Sequence, residues 1–501
     1  MTNHHIPEVH KPSAEDRVSL KTKVAWGFGG LADNYIMNAF NALVLVLFVE
    51  GFKMPPLLAG VATFIPRFLD ALTDPLVGNI SDNTRTRWGR RRPYIAWGAV
   101  LSALLLPLLW YPPGSETSAA VWYANQPFLF MAVLGSLYTT AYTIFIVPYT
   151  ALGYELTNDY DERTRVLAWR MYIGLFGSMT VPWLYRWTQI DWMARLNEGP
   201  LRSILTAGLP GLSSDVQLVG ARVVCIFVGV LIIASGILPA IFCRERLDVQ
   251  HQKTVSLGQA IRYTFANRPF VILSITYIII LIGLFSAANI FMFLLIHYVF
   301  HGDRVAAGEL AGLCGTIGAV VSYLSMFLIQ AVSTRFSKKT GMISGLVLAL
   351  IGVGAAWVVL DPRWPNMLIV STIISSLGLQ GSWLMISSMV ADVCDEDELK
   401  TGLRREGMFS AVNGFSQKLA IAATSLISGG LLALAGFDPE AATSGGVSLD
   451  VAYRLKVLVI GSQAVGFLLA IILMLFYPTT RKHAEATRRI LDERKLREKA
   501  N

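Results

Sequence analysis

Apolar stretches of roughly twenty residues follow one another along the chain, separated by short polar segments. A helix rising 1.5 Å per residue needs about 20 residues to cross a hydrocarbon core about 30 Å thick. The runs do not alternate polar with apolar positions, as the strands of a membrane β-barrel would. The pattern therefore predicts an all-α polytopic membrane protein with twelve spans, near 22–50, 55–80, 94–111, 126–153, 166–187, 218–243, 269–300, 309–334, 341–360, 365–391, 407–436 and 453–477. Residues 188–217, with Ile190, Trp192, Met193, Leu196, Leu201, Ile204 and Leu205, read as an outward segment able to form an interfacial helix. Residues 244–268 form a basic central loop that splits the spans into two groups of six, 22–243 and 269–477. Residues 1–21 and 478–501 are then polar termini, the second a basic tail suited to a helix at an anionic surface or in solvent. Two six-helix bundles with a substrate site between them is the expected architecture.

Composition supports the membrane reading. Hydrophobic residues make up 54% and charged residues 15% of the 501, with a mean hydropathy of +0.52, too little charge to cover a soluble chain of this length. The four cysteines, Cys225, Cys243, Cys314 and Cys394, are scattered, which argues against a disulfide framework and a thiolate metal site. The stretch Met1–Ser19 has no basic start, short apolar core and small-residue cleavage site, so the first span is expected to direct insertion. The net charge of +8 points to topology and not to nucleic acid: with both termini cytoplasmic, thirty of the 42 lysines and arginines fall in cytoplasmic segments. A multi-pass protein of the plasma membrane, in a bacterium the inner membrane, is expected.

Nine basic residues lie at or beyond the outer helix ends, and three remain within spans: Arg67, Arg170 and Lys418. No G-x-x-x-x-G-K-[ST] run and no potassium-channel filter sequence is present, so uphill transport would draw on an ion gradient, with no cofactor. No loop shows a histidine cluster or a nucleophile beside a base, so an enzyme is not expected.

The second span contains Pro66-Arg67-Phe68-Leu69-Asp70-Ala71-Leu72-Thr73-Asp74-Pro75. An ionised carboxylate in hydrocarbon costs at least about 2.5–3.5 kcal/mol, so two of them mark a water-filled or paired environment. Asp70 and Asp74 are four apart and share a helix face, with Thr73 adjacent. The two carboxylates could supply hard oxygen ligands for Na⁺, or share a proton, since neighbouring like charges raise one pKa. Arg67, one turn before Asp70, could neutralise it in a pair that only fixes packing. Pro75 could bend the helix and free a carbonyl.

The run Arg67-Phe68-Leu69-Asp70-Ala71-Leu72-Thr73-Asp74-Pro75-Leu76-Val77-Gly78, followed by Ser81-Asp82-Asn83-Thr84-Arg85-Thr86-Arg87-Trp88-Gly89-Arg90-Arg91-Arg92-Pro93, closely resembles the glycoside–pentoside–hexuronide:cation symporters of the major facilitator superfamily. So do Gly27-Phe28-Gly29, Asp161-Glu162-Arg163 with Arg170, Ala391-Asp392, Thr401-Gly402-Leu403-Arg404-Arg405-Glu406-Gly407 and Lys418, in both halves. The resemblance implies symport of a sugar or glycoside with Na⁺ or H⁺. It implies a cation site at Asp70, Asp74 and Thr143 beside Thr73, a sugar-binding Arg170 with Tyr142 near the sugar, and Lys418 close to the cation. Two positions depart from the melibiose-type pattern. Ile146 stands where a carboxylate would serve both cation and sugar, and Asp33-Asn34 replaces a Lys-Asp pair, leaving Asp33 as the candidate sugar-facing carboxylate beside Asn34. Gly89-Arg90-Arg91-Arg92-Pro93-Tyr94 also looks like the sucrose–proton symporters, which sets H⁺ level with Na⁺.

Asp82 with Arg91 or Arg92 reads as a cytoplasmic latch between the halves, and Asp392, Asp395 and Glu406 near Arg404 and Arg405 as its counterpart. Asn289 and His297, eight apart in the seventh span, could face the cavity, and His297 could carry a proton. Trp383 and Gln380 could offer a stacking surface and a hydrogen bond to a sugar ring. The expected partners are a small sugar or glycoside, a monovalent cation and the bilayer, with the protein working as a monomer and no nucleic acid involved. The alternatives are a sucrose-type proton symporter and a lysolipid transporter of the same fold.

Overall fold

The computed structural model describes residues 17–111, 120–157, 159–192, 204–205, 216–245, 267–402, 406–444, 446–479 and 481–500. Helices dominate, with no strand among the described residues. Ten of them are long and apolar enough to cross a membrane. In chain order the main helices are α1 (Leu20–Val46), α2 (Pro56–Asn83), α3 (Arg92–Leu108), α4 (Ala120–Glu155), α5 (Tyr160–Thr180) and α6 (Val216–Phe242). They continue as α7 (Arg268–Leu294), α8 (Arg304–Arg335), α9 (Lys338–Val359), α10 (Leu368–Thr401), α11 (Glu406–Ala435) and α12 (Leu449–Leu475). A tail helix, α13 (Arg481–Ala500), follows. All twelve expected spans fall on helices; α3 is a shorter apolar helix and α5 a more polar one, which sets these two apart from the ten.

Local chemistry sets where the helices begin and end. Asp303 accepts from the Val305 and Ala306 N–H groups, both at 3.0 Å, and starts α8; Ser337 accepts from Thr340 N at 3.1 Å and starts α9. Gly402 ends α10 at φ 70°, a left-handed conformation that suits glycine. α2 runs unbroken through Pro66 and Pro75. Its Pro66 carbonyl accepts from the Thr139 hydroxyl of α4 at 3.0 Å.

Helices α1–α6 pack chiefly on one another, as do α7–α12, and the two groups meet mainly along α2–α11 and α5–α8. Small residues allow the closest approaches, as expected where lipid provides no hydrophobic drive. A Cβ on Gly60 of α2 would lie 2.9 Å from the Ser425 carbonyl oxygen of α11 and 3.0 Å from Gly429 Cα. Within the second group, a Cβ on Gly378 of α10 would lie 1.9 Å from the Gly345 carbonyl oxygen of α9. The tail helix lies against α10, with Thr487 and Leu491 buried.

Backbone against backbone leaves no side chain to move aside. Gly378→Ala is expected to destabilise the detergent-solubilised protein by about 1–3 kcal/mol in thermal unfolding. Gly354→Ala, with nothing within 4 Å of its added methyl, is expected to leave stability unchanged or slightly raised. Equal melting temperatures for the two variants would contradict this account of the α9–α10 contact.

Candidate functional site

Halfway along α2, helical spacing brings Asp70, Thr73 and Asp74 onto one face. Lys418 of α11 reaches across the seam between the two helix groups and places its ammonium between the carboxylates. Its Nζ lies 2.8 Å from Asp70 Oδ2 and 2.6 and 2.7 Å from the two oxygens of Asp74. The Thr143 hydroxyl of α4 donates to Asp70 Oδ1 at 2.5 Å, and the Thr73 and Thr143 hydroxyl oxygens are 3.3 Å apart. Asp70 is buried, while Asp74 and Lys418 keep partial exposure. Two carboxylates share one cation here, so the cluster carries a net negative charge. That charge and its oxygen donors suit a small monovalent cation or a proton.

Arg67 does not pair with Asp70, contrary to the expectation from their one-turn spacing. Its Nη1 donates to the Ile421 carbonyl at 3.2 Å and to Thr424 Oγ1 at 3.4 Å on α11, and its Nη2 donates to Asn41 Oδ1 on α1. The reason is tertiary: α11 packs against α2 and presents these acceptors, while Lys418 takes the carboxylates.

The cluster lines a cavity of about 250 Å³, walled by Asn41, Arg67, Asp70, Asp74, Tyr142 and Lys418 with Met37, Phe40, Tyr138 and Gln417 among the others. A second charged pair adjoins it. Arg170 Nη2 of α5 donates to Asp33 Oδ2 of α1 at 2.8 Å, and the Tyr142 hydroxyl donates to Asp33 Oδ1 at 2.9 Å. The Arg170 guanidinium lies 5.9 Å from the Trp26 ring centre and 5.4 Å from that of Tyr149, and these two rings stack at 5.3 Å. Tyr142 is the member of this group on the cavity wall. Asn34 turns the other way, bonding the Gly30 carbonyl at 3.0 Å and Ser178 Oγ at 3.1 Å at the α1–α5 contact. Ile146 packs against the apolar core.

The two ends of the bundle differ. At the end carrying the α2–α3 loop, Arg91 donates from Nε and Nη2 to Asp82 Oδ1 at 3.1 and 2.7 Å, and Arg91 Nη1 pairs with Glu155 at 2.7 Å. Arg92 takes no part in the Asp82 pair. It donates to the Ala240 carbonyl and, at 2.9 Å, to the Ile241 carbonyl, satisfying the C-terminal end of α6. Glu245 accepts the backbone N–H groups of Arg90, Arg91 and Arg92 at 2.9, 2.8 and 3.1 Å, where the α3 dipole favours an anion. These bonds stay within the first helix group. In the second, Asp392 pairs with Lys338 at 2.6 Å; Arg404 and Arg405 and the Glu406 side chain lie outside the described residues.

At the opposite end, bonds cross between the groups. Glu50, in a π-helical turn that closes α1, is fully buried and meets His297 Nε2 at 2.9 Å and Arg304 Nη2 at 2.9 Å. His297 lies in a matching π turn after α7. Arg186 pairs with Glu309 at 2.9 Å, and Trp183 Nε1 donates to Thr316 Oγ1 at 2.9 Å. His297 therefore serves this closure and not the cavity, and Asn289 donates to Ser428 of α11 at 3.1 Å. Trp383 packs edge-on against Tyr277 and, with Gln380, is absent from the cavity lining. Most of the expected interfacial helix, 193–203 and 206–215, lies outside the described residues, as does most of the central loop.

Sequence reasoning missed Asn41, Gln417, Glu50 and Glu155. Glu50 had a signal: a carboxylate at the end of a long apolar run is costly unless paired.

The family model described as MFS/sugar transport protein matches residues 25–481. The isoprimeverose transporter of Lactiplantibacillus pentosus is 24% identical, over 95% of this chain and 93% of that one. The sodium-dependent lysophosphatidylcholine symporter 1-B of Danio rerio is also 24% identical, over 97% and 92%. The fold is shared with the crystal structure of a bacterial homologue of the human lysosomal transporter Spinster, with a TM-score of 0.64 at 15% identity over 95% of this chain and 98% of that one.

Removing the shared cation leaves two neighbouring carboxylates unneutralised, which for a buried pair costs about 3–5 kcal/mol. Lys418→Met is expected to lower the melting temperature in salt-free buffer at neutral pH, and Na⁺ or mild acid is expected to restore more of it than either adds to the wild type. Equal responses of variant and wild type would contradict the shared-cation arrangement.

Proposed function

Because the chain belongs to the MFS/sugar transport protein family, a transporter and not an enzyme, we propose that it couples entry of a monovalent cation, Na⁺ or H⁺, to symport of a sugar or glycoside by alternating access. The observation that carries this reading is the Lys418 ammonium lying between Asp70 and Asp74 on the wall of a central cavity. In this reading the ammonium holds the place of the transported ion. An entering cation takes over the carboxylates with help from Thr143 and Thr73, and Lys418 is released. Neutralised carboxylates then let the loaded cavity occlude without a bare charge in low dielectric. The Asp33–Arg170 pair and Tyr142 stand beside the cavity as the sugar-binding group, since a guanidinium and a carboxylate match vicinal hydroxyls as donor and acceptor. Asn34 supports α1 in this group from behind.

The two domains are residues 22–243 and 269–477, joined by the central segment 244–268, with both termini cytoplasmic. On that orientation the cross-group bonds of Glu50 and Arg186 close the outer side, and the carrier faces inward. Asp82 and Arg91 then form a resting latch, held within the first domain and free to engage the second when the inner side closes. The lysolipid reading needs space for an acyl chain, and a cavity of about 250 Å³ favours the smaller solute.

Liposomes containing the purified protein test the reading. Uptake of a glycoside panel is expected to accumulate under an imposed Na⁺ or H⁺ gradient. Asp74→Asn is expected to abolish accumulation while leaving exchange of internal for external sugar. Unchanged accumulation ratios in that variant would remove Asp74 from coupling, and uptake of lysolipid with no response to any sugar would favour the second substrate class. Glu50→Gln, which weakens the outer closure, is expected to raise alkylation of a cysteine placed at Met37 by an impermeant reagent added outside. Unaltered labelling would contradict the assigned role of Glu50.

A further inference from the structure

Both helix groups carry the same device at the end where bonds cross between them. A π turn, Leu47–Gly51, follows α1, and another, Leu295–Val299, follows α7. The two match bond for bond. Phe52 N–H donates to the Leu47 carbonyl at 2.9 Å and Met54 N–H to that of Phe48 at 3.0 Å. Phe300 N–H donates to the Leu295 carbonyl at 3.0 Å and Gly302 N–H to that of Ile296 at 2.7 Å. Each turn is followed by a residue at positive φ, Lys53 at 53° and His301 at 49°. Laid on one another, the turns pair Val49 with His297 and Glu50 with Tyr298.

The equivalent side chains are used in opposite ways. Glu50 reaches across to the second group, where His297 and Arg304 each lie 2.9 Å from one of its oxygens. Tyr298 turns into its own group, and its hydroxyl accepts from Lys456 Nζ of α12 at 3.3 Å. The first turn supplies the arm of the closure. The second is an anchored receiver, with His297 one residue before the anchor.

Lys456 is a costly anchor. It is buried, yet no carboxylate among the described residues comes within the 4.0 Å of an ion pair with it. Asp361, the nearest in sequence to its acceptor Leu360, gives its oxygens to Arg363 at 3.0 and 2.8 Å. Lys456 Nζ donates to the Leu360 carbonyl at 2.8 Å, just past the end of α9. It also lies 5.0 Å from the Tyr298 ring centre and 5.7 Å from that of Trp357. A neutral donor would serve one carbonyl without the cost of burying a charge. An ammonium has three donors and is attracted to ring faces, so it can hold a carbonyl and a phenol together. Here it ties the end of α9 and the π turn after α7 to α12. A hydrogen bond weakens steeply as it lengthens or bends, so the placement of that turn decides how well His297 meets Glu50.

We propose that Lys456 is a positioning residue for the closure between the two groups: it fixes the π turn after α7 so that His297 is presented to Glu50. Lys456 does not line the central cavity and acts through Tyr298. The inference rests on the reading of Glu50 as the outer closure and adds a residue that lies outside the contact itself. Releasing Lys456 lets the turn shift, weakens the bond between Glu50 and His297, and moves the carrier toward its outward-open state.

The test uses the full chain with a cysteine placed at Met37 on the cavity wall, labelled by an impermeant thiol reagent added outside without substrate. Lys456→Met, which keeps the side-chain length and removes the ammonium, is expected to raise the labelling rate about threefold or more, within the factor one net hydrogen bond is worth. Combined with Glu50→Gln it is expected to raise the rate no further than the larger single change, because both act on one contact. The native Cys225 and Cys314, buried in the first and second groups, report general loosening and are expected to stay unlabelled. If Lys456→Met does not fold, Tyr298→Phe stands in, and loss of its hydroxyl alone is expected to raise the rate about twofold. Three results would each overturn the proposal and leave the Glu50 closure standing: an unchanged rate in the variant, rates that multiply in the double variant, or labelling of Cys225 or Cys314. If Glu50→Gln itself leaves labelling unaltered, the outer-closure reading falls, and this inference with it.

Discussion

Everything around the cavity depends on one constraint: two carboxylates four residues apart on one face of α2 share a single ammonium, supplied from the other helix group. In low dielectric neither carboxylate can remain ionised without a positive neighbour. Lys418 meets that need with contacts of 2.6–2.8 Å across the α2–α11 seam. The seam is close because Gly60 and Gly429 face each other with no side chain between them. Position of the ammonium, approach of the helices and shape of the cavity are therefore linked, and a change in what neutralises Asp70 and Asp74 acts on the contact that joins the two groups.

The ends of the bundle show how such a change could be transmitted. At one end Glu50 bonds His297 and Arg304 across the groups, and Arg186 bonds Glu309. At the other, among the described residues, Asp82, Arg91, Glu155 and Glu245 bond within the first group. An asymmetry of this kind is what a rocking carrier needs, since closing one side must release the other. Glu50 and His297 both sit in π turns that follow their long helices.

Much of the fold was legible because bilayer thickness imposes a length on every span, and ten of the twelve expected spans fell on helices long and apolar enough to cross a membrane. The charged residues within spans were legible for a related reason: burial cost marks Asp70, Asp74, Arg170 and Lys418 without any knowledge of their neighbours. Partner choice was not legible. The one-turn spacing of Arg67 and Asp70 suggested a pair, but α11 offers Arg67 a carbonyl and a hydroxyl and gives Asp70 a lysine. Arg92 beside Arg91 looked like an equal latch candidate, yet the carbonyls at the end of α6 take it. His297 and Asn289, two helical turns apart, looked like cavity residues, and helix rotation aims both at neighbouring helices instead.

The sequence by itself determined that the chain is a helical membrane protein and that carboxylates within its second span need compensation, because both follow from the cost of placing polar groups in hydrocarbon; its motifs added the resemblance to a symporter family. Tertiary structure decided how that compensation is arranged. It set Lys418 between Asp70 and Asp74, joined Tyr142 to the Asp33–Arg170 pair, and turned Arg67 to neutral acceptors on α11. The reason is that these contacts join residues up to 357 positions apart, between Arg67 and Thr424, through helix packing that no local pattern encodes.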